Sequence, residues 1–156
     1  MLKLTQPIGT KALRSGRYSG KNHVYHITTR THAREPLFEN FETGRLVAKH
    51  ISREEKTGHV KTLAFVVMPD HLHWLVQLVT DRPMSVAVNN VKSFSARRIN
   101  QQRGQVGRVW QKGFYDRALR CEEDVVEVGR YIIGNPLRAG IVRQIGDYPL
   151  WDAVWV

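Results

Sequence analysis

The chain has 156 residues with a net charge of +10, and 42% of its residues are hydrophobic. This length fits one domain with a sizeable core, and the single cysteine, Cys121, excludes an internal disulfide and a Cys-x-x-Cys metal cluster. No apolar run reaches the roughly 18 residues that span a bilayer, and the N-terminus has no signal-like apolar segment. We therefore expect a cytoplasmic protein without membrane association.

The positive charge is concentrated in two blocks. Residues 1–34 contain seven Lys or Arg and no acid, and residues 92–120 contain eight against the single acid Asp116. Lys and Arg that contact phosphates release condensed counterions, so two such blocks in an otherwise mildly acidic chain favour a nucleic-acid partner. The alternative interpretation is a solvated basic surface without a ligand.

The first half of the chain predicts a basic arm followed by a strand and a helix. Residues 1–22 mix Gly, Ser, Lys and Arg without periodicity, which predicts an irregular arm ahead of one domain over 23–156. Within that domain, β-branched and aromatic residues over 23–31 are typical of a strand. Apolar residues then recur at helical spacing from about 41 to 56, where Gly58 ends the helix.

The centre of the chain predicts a strand pair, a helix and an extended segment. Strands are expected at 59–67 and 70–79, separated by a turn or bulge because Pro69 cannot donate to a strand ladder. A helix is expected at 84–102, and residues 108–120 follow as extended chain.

A last helix begins near Glu122 and has Tyr131 in its final turn. Gly134-Asn135-Pro136 interrupts it, and a short helical turn is expected over 137–142. The order β-α-β-β-α-β-α predicts an α+β domain with one sheet and helices packed on one face, in the split βαβ style.

The central strand pair carries two histidines separated by one apolar residue. Side chains of a strand alternate between faces, so His71 and His73 project from the same surface and are placed to hold one metal ion. The alternative is that both lie on a polar strand face and bind nothing. His26, on another strand, is a candidate to support the metal ligands.

The extended segment interleaves basic and aromatic residues. This pattern suits single-stranded DNA, whose bases stack on aromatic rings while Arg and Lys contact the phosphates. The alternative for Trp110 and Phe114 is that they are core residues of a strand.

Four motifs resemble the single-tyrosine HUH transposases, and most closely their REP-associated tyrosine transposase branch. The motifs, in the family's order, are YHIT at 25–28, VMPDHLH at 67–73, WQKGFYD at 110–116 and YIIGNPLRAG at 131–140. Together they span nearly the whole chain. The resemblance implies the HUH endonuclease fold, a ferredoxin-like antiparallel sheet with the histidine pair on a central strand.

The resemblance also implies the site residues. A divalent ion, Mg²⁺ or Mn²⁺, would bind His71 and His73, with Asn135 as the third ligand and Tyr131 as the nucleophile. Ligand softness alone favours Mn²⁺ or Zn²⁺. Asn135 precedes a proline and is equally a candidate helix-end cap. Tyr115, in the basic aromatic segment, is the alternative nucleophile.

Tyrosine suits a reaction that cuts and rejoins DNA, because a phosphotyrosine ester keeps the energy of the broken phosphodiester. The implied function is a metal-dependent single-stranded DNA endonuclease and strand transferase. It would act at DNA hairpins or palindromic repeats through a covalent 5′-phosphotyrosine intermediate. A catalytically silent module that binds DNA hairpins and, less favoured, a zinc hydrolase are the alternatives, and both monomer and homodimer are open.

The predicted DNA contacts are the basic and aromatic side chains of the two basic blocks. They are Arg14, Arg17, Lys21, Arg30, Arg97, Arg98, Arg103, Arg108, Trp110, Lys112, Tyr115, Arg117 and Arg120.

Overall fold

The computed structural model describes residues 21–119 and 122–155, with side chains from Val125 onward in the second range. The described strands are β1 (Val24–Arg30), β2 (Val60–Met68), β3 (His71–Leu78), β4 (Tyr115–Leu119) and β5 (Trp151–Ala153). The described α-helices are α1 (Phe41–Lys56), α2 (Met84–Arg103), α3 (Glu122–Ile133) and α4 (Asn135–Arg138). No helix within these ranges is both long and apolar enough to cross a membrane.

The five strands form one antiparallel sheet in the order β4-β1-β3-β2-β5. With α1 and α2 as crossovers, the first four strands have the ferredoxin-like order, which confirms the predicted α+β class and antiparallel sheet. The edge strand β5 was not predicted. It is only three residues long, too short for a periodicity signal, and pairs with β2 at Val66 and Trp151.

Local signals fix the ends of the two long helices. The Asn40 side chain accepts a hydrogen bond from the Thr43 N–H at 3.1 Å, which caps the start of α1. Gly104 ends α2 with a φ of +61°, a backbone conformation that glycine adopts without steric cost.

Alternation along the strands gives the sheet two faces. One face carries apolar side chains such as the buried Trp74 and the partly buried Phe65, and Phe65 shares a small cavity with Ile51 of α1. The opposite face carries His26, Thr28, His71 and His73, as the strand register shows. We call this opposite surface the histidine face.

Helix α3 lies over the histidine face. Its Val125 lines a cavity together with Val24 and Gln77, which lie on that face by register. The sequence predicted that all helices pack on one face of the sheet. The two long helices α1 and α2 do so, whereas α3 packs on the other face and brings Tyr131 to the same side of the sheet as the histidines.

Two boundaries differ from prediction. Within 108–120, only β4 joins the sheet, while Trp110 makes an isolated bridge with Thr31. The short helix covers Asn135–Arg138 rather than 137–142, and it can begin before residue 137 because Pro136 fits the first turn of a helix, where an N–H is not needed.

Candidate active site on the histidine face

His71 and His73 project side by side from β3, as the two-residue period of a strand predicts. Their ring centroids are 4.9 Å apart and the rings are nearly perpendicular. Both side chains are partly buried, so one small ligand can contact both from the open side.

A carboxylate orients His71. Its Nδ1 is 2.6 Å from Asp70 Oδ1, and the other oxygen of Asp70 accepts from Arg34 Nε at 2.8 Å. Partial burial acts to raise the pKa of Asp70, but the hydrogen bonds from His71 and Arg34 outweigh it and hold that pKa below its usual value. The ionised carboxylate keeps the His71 proton on Nδ1 and leaves Nε2 with a lone pair for a metal ion.

His73 lies in a less settled hydrogen-bond network. Its Nδ1 is 2.9 Å from His26 Nε2 and 3.2 Å from Thr28 Oγ1. Burial first, and then the charges of the neighbouring histidines and Arg138, lower the pKa of His73 to about 3. Burial and the charge of Arg117 lower the pKa of His26 to about 4. Both imidazoles are therefore neutral at neutral pH, as metal ligation requires.

The tautomer of His73 decides whether it can ligate through Nε2. Arg117 Nη2 lies 3.3 Å from His26 Nδ1, and its donation there keeps the His26 proton on Nε2, facing His73. Ligation needs the His73 proton on Nδ1 instead, where Thr28 Oγ1 can accept it. The donor set fits a divalent ion, with His71 already oriented and His73 requiring a proton shift.

No third His, Cys, Asp or Glu joins this pair within the part of the chain that the structure describes. Asn135, the predicted third ligand, donates from Nδ2 to the Ile132 carbonyl at 3.0 Å. That carbonyl would otherwise lack a helical donor, because Pro136 has no N–H. Asn135 thus acts at the end of α3 as the capping alternative expected, and this orientation directs its Oδ1 away from Ile132. Ligation through Oδ1 stays a prediction.

Tyr131 is in the last turn of α3 and its side chain is 57% exposed. The Arg138 guanidinium stacks on its ring, 3.7 Å from the centroid, and also donates to the Tyr131 carbonyl. The same guanidinium is close enough to His73 to lower its pKa. Arg138 therefore links the predicted nucleophile to the predicted metal site within one chain.

Space for Arg138 depends on Gly134. A Cβ at Gly134 would lie 2.8 Å from Arg138 Nη1, so a larger residue there would require this end of the flexible arginine side chain to shift. Sequence reasoning did not select Arg138 as a site residue. The sequence gives little indication of a role for Arg138, because its position beside Tyr131 depends on how the chain continues through Gly134 into α4.

An open cleft of about 520 Å³ borders His73. Three predicted DNA contacts line it, namely Arg30, Lys112 and Tyr115. One wall of the cleft is the loop over 111–113. Lys92 fixes the backbone of this loop by donating to the carbonyls of Gln111 and Gly113. Lys92 was also missed, because a helix cation gives no sign in the sequence that it points inward.

Both candidate tyrosines lie on the histidine face. Tyr115 is 44% exposed and pairs with Thr28, whose hydroxyl contacts His73. Geometry therefore brings Tyr115 to the cleft and Tyr131 to Arg138, and the choice between them stays a prediction.

Other predicted DNA contacts are distributed differently. Trp110 is only 4% exposed, stacks against Phe38 and donates to Ser95 Oγ at 3.0 Å. The prediction that its ring stacks on DNA bases is wrong, because the ring belongs to the core. Arg103 pairs with Glu35 at 3.3 Å.

The remaining cations do not share one surface. Arg97 and Arg98 line a groove between α1 and α2, on the far side of the sheet from the histidines. Lys21 and Arg108 are exposed, and Arg117 is partly buried beside His26. Three predicted contacts lie outside the described residues, as does most of the arm predicted over 1–22. They are Arg14, Arg17 and Arg120.

Comparison with known proteins supports a nucleic-acid-processing enzyme of the transposase class. Residues 19–134 match the sequence model of a family described as "Transposase IS200 like". This match covers most of the chain, and the chain belongs to the IS200-like transposase family.

Two bacterial relatives agree with the resemblance to REP-associated tyrosine transposases. The Escherichia coli K12 protein of that name is 29% identical over 87 residues, which are 55% of this chain. A Haemophilus influenzae protein assigned to the same type is 27% identical over 99 residues, or 57% of this chain. The aligned region spans about half the length of these relatives, 50% and 56% respectively.

Solved structures show the same fold. A REP-associated tyrosine transposase bound to a REP hairpin superposes with a TM-score of 0.71 at 23% identity, covering 86% of this chain and 79% of that one. A Deinococcus radiodurans protein assigned as a transposase gives a TM-score of 0.55 at 20% identity, covering 74% and 92%.

Proposed function

We propose that this protein is a metal-dependent single-stranded DNA endonuclease and strand transferase that acts at hairpins formed by palindromic repeats. The observation that carries the proposal is the placement of Tyr131, Arg138 and His73 on one face, beside a basic cleft. The family membership supports a transposase, and the relative solved with a REP hairpin supports the choice of DNA.

The cleft suits a single strand of DNA. Arg30 and Lys112 offer cations for phosphates, and the exposed ring of Tyr115 offers a surface for stacking a base. Because Lys92 holds the backbone of this loop, these groups are presented in a fixed arrangement.

Tyr131 would cut the strand by attack of its phenol oxygen on phosphorus. The bond from Tyr131 Oη to phosphorus forms, the bond from phosphorus to the 3′-oxygen breaks, and the leaving oxygen takes up a proton as a free 3′-hydroxyl. The protein is then joined to the 5′-phosphate. Attack of another 3′-hydroxyl on this ester reverses the chemistry and joins strands without ATP.

Arg138 would stabilise this step. Its guanidinium stacks on the Tyr131 ring and its positive charge reaches His73, so it could stabilise negative charge on a scissile phosphate near both groups. A divalent ion held by His71 and His73, Mg²⁺ or Mn²⁺, would supply Lewis-acid polarisation of the phosphate oxygens.

We also infer that one chain assembles the site. Arg138 acts on Tyr131 and on His73 of the same chain, so no second copy is required to bring them together. Mixing the inactive variants Tyr131→Phe and His73→Ala tests this inference. Recovery of cleavage in the mixture would show that active sites are shared between chains.

The chemistry is tested with a hairpin oligonucleotide that has single-stranded flanks, incubated with Mg²⁺ or Mn²⁺. We expect a protein–DNA adduct that survives denaturation, and its loss in Tyr131→Phe. Tyr115→Phe is the matched control, because it removes one hydroxyl from the other tyrosine of the same face. An adduct that persists in Tyr131→Phe but is lost in Tyr115→Phe would reverse the assignment.

A further inference from the structure

The outer surface of the α1 and α2 layer carries a second concentration of positive charge, on the opposite side of the sheet from the histidine face. On α1, four exposed cations recur at spacings of four, four and three residues. They are Arg45, Lys49, Arg53 and Lys56. These spacings place them in one stripe, which at 1.5 Å per residue is about 16 Å long.

Helix α2 extends this charge. It contains 20 residues without a single acid, and its exposed Arg97 and Arg98 line a groove of about 420 Å³ together with Arg53 of α1. The one exposed aromatic ring in the groove is Phe94 among the described residues, and the Arg97 guanidinium lies 5.7 Å from that ring.

Folding neutralises one of the three acids of α1. Glu54 is 4% exposed and forms an ion pair with Arg82, while Glu55 stays exposed and accepts from a backbone N–H of β2 at 3.0 Å. Of the acids of α1, Glu42 alone, in the first turn, is left without such a bond within the described residues. None of the six stripe and groove cations forms an ion pair with another described residue.

We propose that this α1–α2 surface binds the phosphate backbone of duplex DNA, separately from the strand in the cleft. Along one strand of a duplex the phosphates repeat every 3.4 Å of helix axis, so a stripe of about 16 Å spans roughly five of them. Cations on two rigid helices, with one exposed ring in the groove between them, suit backbone contacts rather than base stacking. The proposal is independent of the tyrosine chemistry.

The test uses a short blunt duplex without hairpins, titrated with full-length Tyr131→Phe protein so that the DNA stays intact. Fluorescence anisotropy is recorded over a range of salt concentrations. When Arg53→Gln and Arg97→Gln are both introduced into the Tyr131→Phe protein, we expect weaker duplex binding. The slope of the logarithm of the binding constant against the logarithm of the salt concentration should fall in magnitude by about 2. Binding of a short single strand in the cleft should not change.

The matched control is Lys61→Gln with Arg143→Gln, two exposed cations outside this surface, which should leave the slope unchanged. The charge-conserving double variant Arg53→Lys and Arg97→Lys should also keep the salt dependence of the Tyr131→Phe protein. An unchanged slope in the glutamine variant, or an equal fall in the control, overturns the proposal.

Discussion

Buried neutral histidines should make the fold sensitive to acid. His26 has a pKa of about 4 in the folded protein against an ordinary 6.5. As the pH falls, His26 is protonated in the unfolded chain before it is protonated in the folded protein. The free energy of unfolding therefore has its full value above pH 6.5 and decreases as the pH drops towards 4. At about pH 5 this single histidine should reduce the free energy of unfolding by about 2 kcal/mol.

The assay is urea unfolding at neutral pH and near pH 5, with EDTA present because a bound metal ion would also oppose protonation. His26→Gln cannot be protonated and should lose about 2 kcal/mol less than the wild type between the two conditions. The exposed His32→Gln serves as the matched control and should follow the wild type. Equal acid losses in His26→Gln and the wild type would refute the reasoning.

Three further outcomes follow from contacts in the core and the site. Arg117→Met removes the donor that holds the unfavourable tautomer, so Mn²⁺ should bind more tightly in a calorimetric titration without DNA, and unchanged affinity would contradict the proton-shift account. Gly134→Ala requires the Arg138 guanidinium to shift and should slow adduct formation by less than the roughly 100-fold that removal of a charge-stabilising donor costs, without weakening hairpin binding, whereas Gly146→Ala, with open space around its Cβ, should change neither. Tyr148→Phe leaves the buried Val67 carbonyl without its side-chain donor and should cost about 1–3 kcal/mol in urea unfolding, whereas Tyr115→Phe at the surface should cost little.

The features of the fold that could be predicted from the sequence depend on neighbouring residues alone. The two-residue period of a strand places His71 and His73 on one face wherever that strand lies, and Gly104 ends α2 through its own backbone freedom. The ferredoxin-like strand order and the family came from four motifs in sequence order. These features need no knowledge of distant contacts.

Features that depend on distant contacts were left open or missed. The sequence offered both a core and a DNA-stacking role for Trp110, and its burial is decided by Phe38 and Ser95, which reach it from other parts of the chain. Arg138 joins the site because the chain turns through Gly134 into α4, which brings its guanidinium back to the Tyr131 ring and carbonyl. Neither partner set has a fixed spacing in sequence, so periodicity and motif reading cannot find them.

Counting charged residues along the sequence did not predict the basic surface on α1 and α2. The stretch that includes α1 counts as mildly acidic, yet Glu54 is buried and paired with Arg82 while the basic stripe stays exposed. Among the described residues, exposed positive charge therefore lies both at the cleft and on the α1–α2 surface, with the sheet between them.

Two separated surfaces can hold two segments of one DNA molecule at once. If the cleft binds the single strand beside a hairpin, the α1–α2 surface is free for duplex farther along, and the second contact becomes intramolecular. A hairpin with a long duplex extension should then bind more tightly than the hairpin alone. That gain should vanish in the Arg53→Gln and Arg97→Gln variant but persist in Tyr131→Phe, since the tyrosine acts only in the chemical step. A gain that survives the arginine substitutions would place the duplex elsewhere on the protein.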